Sequence, residues 1–235
     1  YSLRTMADFR CRIIESRLNG TLLSLNDREV EVLFTGKFNA YNLTSVYGAA
    51  LLLGFPPEEV LVKMSLLVPV AGRFQTFLSP RGYTAIVDYA HTPDALVNVL
   101  GSIREVIGTS GKIITVVGAG GNRDKGKRPM MGEIAGKLAD YAILTSDNPR
   151  FEDPMAILAA IEAGIKPTGA KYEVIENRRE AIRQAMEMAV SGDIVVLAGK
   201  GHETYQEIRG VKHPFDEKVI VSELLEEIAG ENRAE

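Results

Sequence analysis

Ile113-Ile-Thr-Val-Val-Gly-Ala-Gly-Gly-Asn-Arg-Asp-Lys-Gly-Lys-Arg-Pro129 decides how the chain is read. Its first five residues, Ile113–Val117, are mostly β-branched and apolar, which predicts a buried strand. A glycine-rich, charged loop follows, and Pro129 stands where a helix over Pro129–Ala139 begins. The same strand-then-helix alternation recurs on both sides. Short apolar runs fall at Ala85–Val87, Ala142–Leu144, Tyr172–Ile175 and Ile194–Ala198. Amphipathic stretches fall at Ala95–Val106, Met155–Ala163 and Arg179–Ala189, with a last helix at Ser222–Ala229. Such alternation predicts an α/β fold: a Rossmann-like, mostly parallel sheet covered by helices on both faces. Ligands of open parallel sheets bind beyond the carboxyl ends of the strands, so the loops there hold the functional question.

Upstream the pattern differs. Strand-like runs at Gly20–Leu25 and Val30–Leu33 are split by Asn26-Asp27. A helix over Asn39–Leu53 ends at Gly54, and a second runs over Pro57–Leu66. Pro69, Gly72 and Arg73 break the periodicity, which places a domain boundary between residues 1–73 and 74–235. The 235 residues allow one large domain or two smaller ones, and 46% hydrophobic with 25% charged residues excludes a disordered chain. A formal net charge of −4 argues against a general nucleic-acid binder. No apolar run approaches the roughly 18 residues of a membrane span. The single cysteine, Cys11, forms no internal disulfide, and three histidines apart from it give no zinc-ligand spacing. Tyr1-Ser-Leu-Arg4 has neither an initiator Met nor a signal-peptide core. The chain therefore reads as soluble, intracellular and cut out of something longer.

Four strand-end loops carry unusual residues. In Asp88-Tyr-Ala-His-Thr-Pro-Asp94, Thr92 and Pro93 suit a capped helix start. That leaves Asp88 at the end of an apolar strand, and His91 beside a helix N-terminus where anions bind. The Gly118–Pro129 loop fails two standard patterns. The dinucleotide fingerprint needs glycine where Arg123 stands. The phosphate-loop pattern reaches Gly126-Lys127 and then meets Arg128 in place of the magnesium-binding hydroxyl. A solvated charge run is one reading of this loop. The other is ligand recognition, with glycines allowing close backbone approach and two arginines offering forked donors for a carboxylate or phosphate. Asp147-Asn-Pro-Arg150 is a plain turn or a stiffened platform for Arg150. In Gly199-Lys-Gly-His-Glu203 both glycines imply special backbone angles or close approach, and Glu203 could balance a ligand ammonium. Arg123 and Arg150 as cations with Asp147 and Glu203 as anions suit a zwitterion better than a polyphosphate.

Asp88–Asp94, Gly120–Pro129, Asp147–Arg150 and Gly199–Glu203, in this order and spacing, resemble the Mur ligases of bacterial peptidoglycan synthesis. The likeness runs over essentially the whole chain and is closest to the members that handle meso-diaminopimelate. It implies an ATP-dependent ligase that adds meso-diaminopimelate to UDP-N-acetylmuramoyl-L-alanyl-D-glutamate through an acyl phosphate, with ATP and magnesium (Mg2+) as cofactors. By the same likeness Arg123, Asp147, Asn148, Pro149, Arg150, Gly199 and Glu203 hold meso-diaminopimelate. Arg150 and Arg123 grip its distal carboxylate, while Glu203 and Gly199 take its ammonium. Family members that accept lysine lack the arginine of this turn, which makes Arg150 the selectivity residue. Asn42, Arg73, His91 and Asp94 match ATP-contacting positions. No Gly-Lys-Thr or Gly-Lys-Ser occurs, so the likeness covers only the tail of the central ATPase domain (1–73) and the whole C-terminal domain (74–235). The catalytic phosphate loop and lysine are then absent, and the chain alone is expected to be inactive. A cytoplasmic monomer with small-molecule substrates and no nucleic-acid or membrane partner is expected. The alternative is a non-catalytic amino-acid- or nucleotide-binding α/β module.

Overall fold

The computed structural model describes residues 1–231, with side chains through Ala229. It contains two compact units, Tyr1–Val70 and a second beginning at Ala71.

In the first unit β1 (Cys11–Arg17), β2 (Gly20–Leu25) and β3 (Arg28–Val32) form an antiparallel meander. Asn26 and Asp27, both at positive φ, make the tight turn between β2 and β3, the conformation that two-residue hairpins require. Leu23, Leu25, Val30 and Val32 on the sheet pack with Ala40, Leu43 and Tyr47 of α1 (Lys37–Leu52) and Val60 and Met64 of α2 (Pro57–Ser65). Leu52, Leu53, Phe55, Leu66, Val68 and Val70 remain exposed.

The second unit holds β4 (Gln75–Leu78), β5 (Thr84–Asp88), α3 (Pro93–Ile107), β6 (Ile113–Val117), α4 (Lys127–Leu138), β7 (Tyr141–Leu144), α5 (Pro154–Ile165), β8 (Tyr172–Val174), α6 (Arg178–Met188) and β9 (Ile194–Ala198). The hairpin β10 (Tyr205–Ile208) and β11 (Val211–Pro214) and then α7 (Glu217–Glu231) complete it. The sheet order is β4-β5-β9-β6-β7-β8, parallel except for the edge strand β4.

Strand alternation sends successive side chains to opposite faces. Ala85, Val87, Ile114, Val116, Ile143, Val195 and Leu197 pack under α6 and α7 with Ala181, Ile182, Ala185, Val221 and Leu224. The alternate positions Ile86, Ile113, Val117, Leu144 and Val196, equally buried, face α3, α4 and α5. Burial on both faces is why these strands read as unbroken apolar runs. After α6 the chain returns to insert β9 between β5 and β6, so the crossovers change face there. That reversal opens a crevice at the carboxyl ends of β5, β9, β6 and β7, where all four singled-out loops lie.

Candidate functional site

One cavity of about 510 Å³ opens at these strand ends, lined by Tyr89, His91, Thr92, Gly120, Arg123, Asp124, Lys127, Asp147, Asn148, Arg150, Gly199, Glu203 and Tyr205. Arg123, Asp147, Asn148, Arg150, Gly199 and Glu203 thus share one hollow, with His91 from the group read as nucleotide-contacting. Pro149 is buried behind the wall rather than in it. Arg73 is exposed, with its guanidinium 4.9 Å from the centre of the Tyr89 ring. The rings of His91 and His202 lie 4.5 and 4.8 Å from that same ring. Asp94 is exposed in the first turn of α3 and does not line the cavity, and Asn42 is exposed on α1 of the first unit.

The capping reading of Thr92 holds: its Oγ1 accepts from the Ala95 amide at 3.3 Å. Asp88 has a backbone task. Its Oδ2 accepts from the Phe74 amide at 2.7 Å, and burial pushes its carboxyl above the ordinary range.

The Gly118–Pro129 loop departs from expectation in two ways. Arg128 is not a ligand-facing fork. It is 3% exposed and makes a two-pronged ion pair with Glu152 at 2.9 and 3.0 Å, while its Nη2 also reaches the Gly120 carbonyl at 3.3 Å. A planar guanidinium matches a carboxylate in this geometry, which uses it up within the protein. Only Arg123 of the pair lines the cavity. The glycines likewise serve approach by the protein's own backbone. A Cβ on Gly121 would fall 1.9 Å from the Pro149 oxygen, and one on Gly118 would fall 2.4 Å from the Thr145 oxygen. The loop and the Asp147–Arg150 turn therefore lie flush, joined by Gly121 N–H to the Asn148 carbonyl at 2.8 Å and Arg150 Nη1–H to the Gly121 carbonyl at 2.9 Å.

Glu152 anchors this junction. It accepts from Arg128 and from the Asn122 amide, with Lys125 also near, and these hold its carboxyl down at about 2. A carboxyl lowered in the folded state stabilises above its unfolded value of about 4.3 and loses that contribution as pH falls toward the folded value. Glu152→Gln is therefore expected to lower Tm at pH 7 by about 2–4 °C, and the gap to wild type should close as pH falls from about 4 to 2. Thermal melts across that range check it; a gap constant with pH would remove the ion pair as its cause.

Arg150 sits at positive φ, outside the usual region for a side chain of its size. Two backbone bonds compensate: its amide donates to the Glu207 carbonyl at 3.0 Å and its carbonyl accepts from Arg209 N–H at 2.7 Å. Its Nε pairs with Glu207 at 3.2 Å. Nε and Nη1 are thereby engaged within the protein, and Arg150 also lines the cavity. Gly199 has φ +122, and a Cβ there would meet Asp147 Oδ2 at 2.9 Å, so glycine is required. Lys127, half-buried, has its ammonium pushed below its usual value by burial and donates to the His91 carbonyl at 2.8 Å. The lining charges are Arg123, Lys127 and Arg150 against Asp124, Asp147 and Glu203. That balance fits a ligand carrying both signs. Among the described residues no three His, Cys, Asp or Glu side chains converge as metal ligands.

Residues 72–201 match the family described as "Mur ligase, glutamate ligase domain". The chain belongs to the Mur ligase family. Among Mur ligases it is 56% identical over 226 residues to the UDP-N-acetylmuramoyl-L-alanyl-D-glutamate--2,6-diaminopimelate ligase of Bacteroides fragilis, covering 96% of this chain and 47% of that one. It is 45% identical to the ligase of the same description from Caldanaerobacter subterraneus subsp. tengcongensis, covering 97% and 47%. The chain thus spans about half the length of the curated relatives it matches. A solved structure of such a diaminopimelate ligase superposes with TM-score 0.70 at 40% identity, over 96% of this chain and 47% of that one. The UDP-N-acetylmuramate-alanine ligase of Thermotoga maritima, at 18% identity and TM-score 0.71 over 95% and 46%, shares the fold.

Several residues of this Mur ligase cavity were given no ligand role by the sequence reading: Tyr89, Thr92, Asp124, Lys127 and Tyr205. Lys127 was visible only as part of a failed phosphate-loop pattern. Tyr205 lies on β10, whose sequence carries no strong strand signal.

Proposed function

We propose that this chain is the amino-acid-binding part of a cytoplasmic, monomeric, ATP-dependent ligase. That enzyme joins meso-diaminopimelate to UDP-N-acetylmuramoyl-L-alanyl-D-glutamate in peptidoglycan synthesis. The observation that carries the reading is the single hollow shared by Arg123 and Arg150 with Asp147 and Glu203. A diamino diacid presents both signs at both ends, and this cavity answers both.

In this reading Arg150 and Arg123 hold the distal carboxylate, while Glu203 and Gly199 hold the neighbouring ammonium. Asp147, Asn148 and Pro149 shape the turn that presents Arg150. The remaining amino group is thereby held out toward the acyl donor. The γ-carboxylate of the D-glutamate is activated as an acyl phosphate at the expense of ATP. The amine nitrogen attacks the acyl carbon, inorganic phosphate leaves, and the amine proton is released as the amide forms. Holding both reactants in line replaces a bimolecular encounter with a unimolecular one. His91 and Arg73, gathered on the Tyr89 ring, offer a ring face and a cation to the nucleotide, with Asp94 as a further contact; Asn42, on the first unit, is kept as a separate nucleotide contact. Magnesium would supply charge neutralisation at the phosphates from elsewhere in the enzyme. Domain 1–73 is read as the tail of the ATPase domain and 74–235 as the C-terminal domain. Alone, without a Gly-Lys-Thr loop, the chain binds without catalysing.

Calorimetry with meso-diaminopimelate and with lysine tests the site. Wild type is expected to prefer meso-diaminopimelate, and Arg150→Ala to lose that preference by about 100-fold, the scale of one truncated charge-paired contact. A preference unchanged by the substitution removes Arg150 from the role.

A further inference from the structure

Behind the cavity wall, in the Gly199–Glu203 loop, lies a lysine to which neither the sequence reading nor the ligation chemistry gave a task. Lys200 is 0% exposed. Its ammonium donates to Glu203 Oε2 and Asn148 Oδ1, each at 3.2 Å, and stands 3.9 Å from Asp147 Oδ1. The rings of Tyr205 and Phe215 lie 5.8 Å away. A fully buried ammonium is costly unless paired. Here, among the described residues, it is the one cation within ion-pair distance of Asp147 or Glu203. One ammonium is therefore shared by two carboxylates.

Lys200 also sets the orientation of Asn148. Asn148 Oδ1 accepts from Lys200 and from the Glu207 amide at 2.9 Å, which turns Nδ2 to donate to Glu203 at 2.8 Å. Both bonds to Glu203 land on Oε2, which leaves Oε1 for the cavity that Glu203 lines.

We propose that Lys200 is a positioning residue of the amino-acid site: its buried ammonium locks Glu203 and the Asp147–Arg150 turn together and, as one cation within ion-pair distance of two carboxylates, leaves Glu203 able to take a ligand ammonium. The inference rests on reading the cavity as the meso-diaminopimelate site. Lys200 acts through Glu203 and Asn148 and does not touch the ligand.

The test is calorimetric titration of meso-diaminopimelate into wild type, Lys200→Met, Glu203→Gln and the double variant, with thermal melts alongside. Lys200→Met is expected to weaken binding about tenfold or more in the wild-type background and by less than about twofold in the Glu203→Gln background. Lys200→Gln keeps a hydrogen-bond donor without the charge. It should show the same coupling, and it serves where the methionine variant does not fold. Equal losses in both backgrounds, or no loss at all, overturn the role of Lys200 while the cavity reading stands. Failure of wild type to bind meso-diaminopimelate overturns the cavity reading itself.

Discussion

Arg178→Ala is expected to destabilise the second unit by about 3–5 kcal/mol, the scale for removing one partner of a buried ion pair. Arg178 is 1% exposed and Glu217 0%. The guanidinium Nε donates to Glu217 Oε1 at 2.7 Å, Nη2 to the Ala198 carbonyl at 3.0 Å, and Nη1 to the Ser146 carbonyl at 3.5 Å. One side chain thus ties the start of α6 to the start of α7 and to the chain just beyond β7 and at the end of β9. Alanine leaves a fully buried carboxylate without its paired cation, with its Oε2 already unpartnered. Burial raises the Glu217 carboxyl even with Arg178 beside it, and losing the cation raises it further. A group raised in the folded state binds its proton more tightly there, so stability falls as pH climbs above the unfolded value of about 4.3. The penalty should accordingly grow as pH rises above that unfolded value. Urea unfolding followed by amide hydrogen exchange in β6 and β9 measures it. The double change Arg178→Met with Glu217→Leu should recover most of the loss, because neither charge then stays buried. No recovery would trace the cost to packing.

Gly121→Ala is expected to cost about 1–3 kcal/mol in stability, the scale of overpacking, and to abolish measurable ligand binding. The added carbon would stand 1.9 Å from the Pro149 oxygen and 2.7 Å from its carbonyl carbon. Neither atom is a flexible side-chain end, so the loop must lift off the turn. Lifting breaks the Gly121–Asn148 and Arg150–Gly121 bonds and moves Arg123 and Arg150 apart. Gly126→Ala is the control, since its nearest neighbour is Asp124 Oδ1 at 3.2 Å, a side-chain atom in the same exposed loop. Calorimetry and thermal melts on the two variants check this; equal effects would show that glycine matters here for flexibility rather than for contact.

The parallel core was legible because burial on both faces writes itself as aliphatic runs. Ile113–Val117 and Ile194–Ala198 coincide with the observed strands. β1 was missed because a bulge between Ile13 and Glu15 shifts its register and several of its residues are exposed. β10 and β11 were missed because β11 is exposed throughout, β10 is only half-buried, and their turn is Arg209-Gly210 at positive φ, not the asparagine- or aspartate-glycine pair that signals a hairpin. β4, four residues on an edge, is too short for a pattern. Within the site, motif spacing found the lining residues Arg123, Asp147, Arg150 and Glu203. Partner choice stayed hidden. Nothing local distinguishes Arg128, spent on Glu152, from Arg123, which faces the hollow, because the deciding carboxylate lies 24 residues further along the chain. Lys200 was hidden likewise, since its burial follows from how strand-end loops converge.

The placement of β9 bears on synthesis at the ribosome. It joins β5 to β6, yet it is the last of the six sheet strands to be translated. A nascent chain that stops before Ile194 holds two half-sheets with open hydrogen-bonding edges and no floor for the hollow. The hollow can therefore form only after β9 leaves the exit tunnel, and until then the open edges of the two half-sheets invite misassociation.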